Sequence, residues 1–137
     1  MFKIKFDTYL PIYYQIKEEI KYLIACGILK PNQALPSIRQ LATELIVNPN
    51  TVARAYRELE EEGIIYSLKG KGCYVANKPD WFKKEKSKIL DNMLDEVIIE
   101  AQKLEFDLEK LKQLFNERIN LFKSRINRSK DESHSKD

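Results

Sequence analysis

Residues 47–63 read VNPNTVARAYRELEEEG, and they combine a helix-start signal with an unusual distribution of charge. Asn48 is a favourable capping residue, and Pro49 suits the first position of the helix that follows. Acidic residues usually lie in the first turn of a helix, where they complement its dipole, but here they come only after Arg54 and Arg57. The stretch therefore predicts a helix whose first turn faces a negatively charged partner.

Two further helices are predicted upstream. Ser37 and Gln40 have the spacing of a capping box, so a short helix begins after Ser37. A longer first helix is predicted between Pro11 and Gly27, because its apolar residues recur at helical spacing. These residues are Ile12, Ile16, Ile20, Leu23 and Ile24. Residues 29–35 indicate a connection, and the alternating residues 3–6 indicate a short edge strand.

A β-hairpin is predicted after the third helix. Residues 64–68 and 73–76 resemble strands, and Lys69-Gly70-Lys71-Gly72 forms the loop between them. Three helices followed by a hairpin with a basic tip describe a winged helix-turn-helix domain.

The C-terminal part of the chain predicts two amphipathic helices, which need a surface to bury against. Their apolar residues are Leu90, Leu94, Val97, Ala101 and Leu104 in the first helix and Leu111, Leu114, Phe115, Phe122 and Ile126 in the second. A second copy of the chain is the simplest partner, which predicts a homodimer. The alternative is that the tail folds back on its own winged helix. We favour the dimer because Trp81 and Phe82 precede a charged run at residues 83–86, which suggests separation.

The expected fold is thus mainly α with a small β-hairpin. Residues 1–78 form the winged helix-turn-helix domain, residues 79–128 form the helical dimerisation region, and residues 129–137 form a disordered polar tail.

Composition excludes several classes of protein. The 137 residues carry a net charge of only +3, so any basic surface must be local. No apolar run approaches the roughly 20 residues of a membrane span, and the N-terminus lacks the apolar core of a signal peptide.

Cys26 and Cys73 have no metal-like spacing and are expected to be small core residues in a reducing cytosol, and His134 lies in the polar tail. Neither a catalytic cluster nor a cofactor or metal motif is present, so we do not expect an enzyme.

The stretch LPSIRQLATELIVNPNTVARAYRELEEEGIIYSLKGKGCYV, together with PIYYQI near the N-terminus, resembles the DNA-binding domain of the GntR family of bacterial transcription regulators. The match covers roughly residues 7–77. The variant NPNTVARAY, followed by a short two-helix tail, resembles the YtrA subfamily. This resemblance implies a dimeric, cytoplasmic DNA-binding regulator, often a repressor of a transporter operon.

The resemblance also implies which residues contact operator DNA. They are Ser37 and Arg39 in the second helix, Asn48, Asn50, Thr51 and Arg54 in the recognition helix, and Lys69, Gly70 and Lys71 in the wing. Arg57 is a further candidate on the recognition helix. Many family members have arginine where Pro49 and Ala53 stand here, so the operator sequence cannot be transferred from them.

Other interpretations are compatible with the sequence. Arg54 and Arg57 could pair with Glu58 and Glu61 on a solvated helix face. A winged helix can also serve as a protein-interaction module without nucleic acid, although a tip with Lys69 and Lys71 argues against that. RNA is a less suitable partner because a reading helix does not enter its narrow major groove. A small-molecule effector, bound at the dimer interface or between domains, and a redox role of the cysteines both stay open.

Overall fold

The computed structural model describes residues 2–135, with the side chains of residues 2–131, and divides the chain into two compact units between Leu90 and Asp91. Seven elements follow in chain order: α1 (Ile12–Ala25), α2 (Ile38–Leu45), α3 (Pro49–Glu61), β1 (Ile65–Leu68), β2 (Gly72–Val75), α4 (Pro79–Lys103) and α5 (Leu108–Ser135). This order confirms the predicted fold class, with three helices, a hairpin and two C-terminal helices.

The core of the first unit lies where α3 packs against α1 and α2. Its largest fully buried side chains are Ile16, Ile20, Leu41, Val52, Leu59, Ile64, Ile65 and Val75. The first five lie on the inner faces of the three helices, and the other three lie in or next to the hairpin strands. Burial of each contributes roughly 1.5–3 kcal/mol relative to an exposed side chain. The winged helix therefore has a core of its own.

Local signals set the helix boundaries in this unit. The predicted capping box of α2 is present, because the Ser37 hydroxyl accepts from the Gln40 N–H and the Gln40 side chain accepts from the Ser37 N–H. Ile46 then adopts a left-handed conformation with φ of 55°, which ends α2 and turns the chain toward α3. Asn48 caps α3, as predicted.

The wing contains more backbone pairing than the predicted hairpin. Strands β1 and β2 pair antiparallel from Ile65 opposite Val75 to Leu68 opposite Gly72. Residues 32–35, predicted as a simple connection, bond to the outer side of β2. The Asn32 N–H donates to the Val75 carbonyl over 2.7 Å, and the Leu35 N–H donates to the Cys73 carbonyl over 2.9 Å.

The boundary between the units lies further along the chain than the predicted end of the first domain at Lys78. The first turn of α4 explains the difference, because the half-buried Trp81 and Phe82 pack against the core of the first unit. Their rings also contact each other edge to face, with centroids 5.2 Å apart. These aromatic residues belong to the first unit and do not mark a separation.

The second unit contains the end of α4 and the whole of α5. Asp107 caps α5, since its carboxylate accepts from the Lys110 N–H over 2.7 Å. α5 continues to Ser135, where the sequence predicted a disordered tail over residues 129–137. The helix can continue because these residues include neither glycine nor proline. Residues 136–137 and the His134 side chain lie outside the described part of the structure.

The two cysteines are less buried than the sequence predicts. Cys26 is exposed rather than buried, because it follows the last turn of α1, and Cys73 is half-buried in the wing. Both thiols are free.

Among the described residues, no helix has the length and apolar character needed to cross a membrane.

Candidate nucleic-acid interface

The first turn of α3 exposes a helix N-terminus without a carboxylate. Asn48 Oδ1 accepts from the Asn50 N–H over 2.8 Å, and Pro49 has no N–H to satisfy. No acidic residue lies in this turn. The positive end of the helix dipole is therefore not neutralised by an acid of its own turn, which favours an anionic group in front of it.

One face of α3 is polar, exposed and opposite to the core. Asn50, Arg54 and Arg57 lie three or four residues apart and are all exposed, whereas Thr51 is half-buried at the edge of this face. The predicted apolar residues Val52, Ala55, Tyr56 and Leu59 are buried. The helix thus presents an amide and two guanidinium groups on the side away from its buried core residues.

Arg54 is oriented by two neighbours. Its Nε donates to Glu58 Oε2 over 3.0 Å, and its guanidinium carbon lies 3.7 Å from the centre of the Tyr13 ring on α1. The pairing with Glu58 is the one expected for a solvated face. However, 52% of the Arg54 side chain is exposed, and this pair uses Nε and not the two Nη groups. Arg54 is held in place while its outer edge stays accessible.

Glu58 is shared between Arg54 and a lysine of α1. Lys17 Nζ lies 3.0 Å from Glu58 Oε1 and 3.5 Å from Glu62 Oε1. The hydrogen bond from Lys17 lowers the pKa of Glu58, and the Arg54 guanidinium adds to this effect. Burial lowers the pKa of Lys17, but the hydrogen bonds and charges of Glu58 and Glu62 outweigh it and raise the pKa above its ordinary value. Two of the acids at the end of α3, Glu58 and Glu62, are thus paired with α1.

Tyr13 and Lys17 also belong to this cluster, although they are not among the predicted site residues. One sequence signal was available, because Lys17 lies seven residues before Ile24 and therefore on the apolar face of α1. Only 8% of Lys17 is exposed, and a buried lysine needs a carboxylate partner. Which carboxylate it would find could not be read from the chain order.

The N-terminal end of α2 presents a hydroxyl and a guanidinium. Ser37 Oγ accepts from the Gln40 N–H over 3.0 Å, which leaves the hydroxyl hydrogen available to donate. Arg39 is exposed and forms no ion pair within the part of the chain that the structure describes.

The wing tip is basic and has an open backbone. The Lys71 N–H donates to the Leu68 carbonyl over 2.9 Å and closes a tight turn. Gly70 has φ of 74° inside this turn, a conformation that residues with a side chain rarely adopt. Lys69 and Lys71 are exposed, and neither pairs with a carboxylate among the described residues. The tip can therefore approach an anionic surface closely.

These features define a winged helix-turn-helix protein: α2 and α3 form the helix-turn-helix, and the lysine-tipped hairpin forms the wing. The described residues contain no group of histidine, cysteine or acidic side chains that could hold a metal ion. The fold and the exposed groups are those of a binding domain.

Comparisons with known proteins identify the family. Residues 12–75 match the model of the bacterial regulatory proteins of the gntR family. The HTH-type transcriptional repressor YtrA of Bacillus subtilis (strain 168) is 44% identical over 108 residues, which are 78% of this chain and 83% of YtrA. The chain therefore belongs to the GntR family, and within it to the YtrA subfamily.

Solved structures agree with this assignment. A GntR family transcriptional regulator from Listeria monocytogenes superimposes with a TM-score of 0.69 at 37% identity, covering 82% of this chain and 98% of that one. The DNA-binding domain of AraR, solved in complex with an operator, superimposes with a TM-score of 0.50 at 33% identity. It covers 54% of this chain and 95% of its own. The relatives are named as regulators or repressors, so the chain is a transcriptional regulator and not an enzyme.

Proposed function

We propose that this protein is a dimeric, cytoplasmic repressor that binds a two-fold operator in duplex DNA. The observation that carries the proposal is the N-terminal half of α3, where an uncompensated helix end and the exposed face of Asn50, Arg54 and Arg57 lie together. Such a helix fits the major groove, where amides and guanidinium groups can form paired hydrogen bonds with base edges. The operator complex of the AraR domain supports DNA as the partner.

The ten candidate residues divide into two roles under this proposal. Asn50, Thr51, Arg54 and Arg57 read base edges from α3. The remaining residues bind the DNA backbone or the minor groove: Ser37 and Arg39 from α2, Asn48 at the start of α3, and Lys69, Gly70 and Lys71 from the wing. Every one of these residues except the half-buried Thr51 is exposed, which supports their access to DNA.

The dimer is proposed from the apolar surface of the second unit. Val97, Phe115 and Phe122 are each half or more exposed, and Ala101 is the one buried side chain among the described residues of the unit. Exposed apolar residues repeated along two helices indicate a protein interface. A symmetric pair of copies would place two α3 helices on the two halves of one operator.

Repression of a transporter-type operon is the regulatory outcome that we propose. It rests on similarity to YtrA, which is named a transcriptional repressor and matches over more residues than the first unit contains. A reporter gene fused to the protein's own promoter and its neighbouring operon tests this. Higher expression after deletion of the regulator supports repression, and lower expression contradicts it.

Sequence-specific binding is tested with duplexes selected from a random library by the full-length protein. We expect affinity for the selected duplex to fall steeply with salt, because several basic residues displace counterions from phosphate. Equal affinity for selected and scrambled duplexes would contradict the proposal.

The two roles are tested with two substitutions. Arg54→Ala should cost roughly 1–3 kcal/mol and relax sequence preference, because a base contact is lost. Lys71→Ala should weaken binding to all duplexes similarly and flatten the salt dependence. An Arg54→Ala protein with unchanged affinity and preference would show that the Glu58 pair is the whole role of Arg54.

The proposed dimer interface is tested with Phe115→Asp. Its control is Gln113→Asp, which adds the same charge at an exposed polar position of α5. Burial of one phenylalanine contributes roughly 1.5–3 kcal/mol, and symmetry doubles this to roughly 3–6 kcal/mol per dimer. Light scattering should show a dimer for the parent and the control but a monomer for Phe115→Asp at micromolar concentration. A monomeric parent would refute the proposed dimer.

A further inference from the structure

The wing contains two tyrosines that are not among the ten candidate DNA contacts. Tyr66 on β1 and Tyr74 on β2 lie opposite each other in the hairpin. Their rings stack with centroids 5.6 Å apart and an angle of 21° between planes. Each hydroxyl extends from this stack to a different place.

The Tyr74 hydroxyl reaches the tip of the wing. It donates to the carbonyl of Lys71 over 2.8 Å. The N–H of the same residue closes the turn by donating to the Leu68 carbonyl over 2.9 Å. Both backbone groups of Lys71 are therefore fixed, one by the turn and one by a side chain three residues further along the chain.

The Tyr66 hydroxyl reaches away from the tip. It donates to Asn32 Oδ1 over 3.0 Å, at the start of the segment that bonds to β2. This segment leads directly to Pro36, whose carbonyl accepts from the Tyr56 hydroxyl of α3 over 2.7 Å, and then to the cap of α2. One short segment thus contacts the wing, the recognition helix and the start of α2.

We propose that Tyr74 and Tyr66 are positioning residues that hold the wing tip in its DNA-binding conformation. Both are only half-buried, so neither ring is needed to fill the core. A two-stranded hairpin with a glycine-containing tip is flexible in isolation. Fixing Lys71 before binding lowers the ordering cost of the DNA complex. This inference rests on the proposed function, because it assumes that the tip contacts DNA.

The test uses the full-length protein with Tyr74→Phe, which keeps the ring and removes the hydroxyl. The matched control is Tyr14→Phe, an exposed tyrosine of α1 that forms no hydrogen bond with the wing. Loss of one neutral hydrogen bond should weaken binding to the library-selected duplex about two- to tenfold, while the thermal midpoint falls by no more than a few degrees and the protein stays folded at the assay temperature. Tyr14→Phe should leave the affinity unchanged.

A positioning role is distinguished from a general structural role by combining Tyr74→Phe with Lys71→Ala. Tyr74→Phe should weaken binding in the parent and have little further effect in Lys71→Ala, because both changes act on one contact. An equal loss in both backgrounds, or no loss in the parent, would overturn the proposal.

A measurement without DNA separates this inference from the proposed function. In a nitrogen–proton correlation spectrum, Tyr74→Phe should shift the Gly72 amide, whose peptide bond contains the Lys71 carbonyl. An unshifted Gly72 resonance would show that Tyr74 does not hold Lys71, and it would overturn the inference. A parent that binds no duplex specifically would overturn the proposed function, and the Gly72 resonance would still report on the hydrogen bond between Tyr74 and Lys71.

Discussion

Tyr56→Phe tests the contact that holds the recognition helix against the segment leading to α2. Tyr56 is 3% exposed, and its hydroxyl donates to the Pro36 carbonyl over 2.7 Å. The substitution removes this donor and keeps the ring in the core. Because Pro36 is half-buried, water can partly replace the hydroxyl, so we expect a loss of roughly 1 kcal/mol in the free energy of unfolding at pH 7.

The same substitution has the opposite effect in alkali. Burial raises the pKa of Tyr56 above its ordinary value, with a smaller contribution from neighbouring groups. Because the pKa of Tyr56 is higher in the folded state, the contribution of neutral Tyr56 to the free energy of unfolding is fully present below the unfolded-state pKa of about 10. This contribution is lost as the pH rises above that value. The parent then loses up to about 1.4 kcal/mol per pH unit that Tyr56→Phe does not lose. The two stabilities should cross between about pH 10 and 11.

Urea titrations from pH 7 to 11 at constant ionic strength measure both effects. Trp81, the single tryptophan, packs against the core of the first unit, so its fluorescence follows the unfolding of that unit. Circular dichroism provides a second probe, and Tyr14→Phe is the control for an exposed tyrosine. A difference between parent and Tyr56→Phe that is zero at pH 7, or that does not change with pH, would refute the reasoning.

Three further predictions concern residues that stabilise the first unit or position its candidate DNA-binding side chains. Ser37→Ala should lower the free energy of unfolding by about 1 kcal/mol in urea titrations, because α2 loses its cap. A chain ending at residue 78 should have a lower thermal midpoint than one ending at residue 90, because it lacks Trp81 and Phe82; equal midpoints would contradict this. Lys17→Met should weaken binding to the selected duplex more than Lys21→Met, since Lys17 contacts Glu58 and Lys21 contacts only Glu18 and Glu62 in the described ion pairs.

The parts of the fold that depend on neighbouring residues could be predicted from the sequence. The caps of α2 and α3, the helical periodicity and the hairpin loop all act within a few residues, and each was confirmed. β1 begins one residue later than predicted, and β2 begins and ends one residue earlier, so Gly72 belongs to β2 and not to the loop. The prediction for the start of the chain was wrong, because residues 3–6 form no strand. The Gln15 side chain instead accepts from the Lys5 N–H and donates to the Lys5 carbonyl, each over 2.8 Å.

The contacts between distant residues could not be predicted. The pairing of residues 32–35 with β2 depends on where the hairpin folds back, and no local pattern indicates it. The cluster of Tyr13, Lys17, Arg54 and Glu58 depends on the packing of α1 against α3. The packing of Trp81 and Phe82 is also a contact between distant residues, since their partners lie in a core built by earlier elements. The roles of the ten candidate DNA contacts stay predictions.

The two interpretations of Arg54 are compatible because of Lys17. If Glu58 paired with Arg54 alone, a turn of Arg54 toward DNA would leave the carboxylate without a partner near the duplex, and repulsion from phosphate would oppose binding. Lys17 stays 3.0 Å from the other oxygen of Glu58, so the carboxylate keeps a cation in either state. Tyr13 and Glu58 also restrict the arginine rotamers before DNA arrives, which reduces the entropy lost on binding. An ion pair on the recognition helix is therefore consistent with base reading, provided that a third charge neutralises the acid.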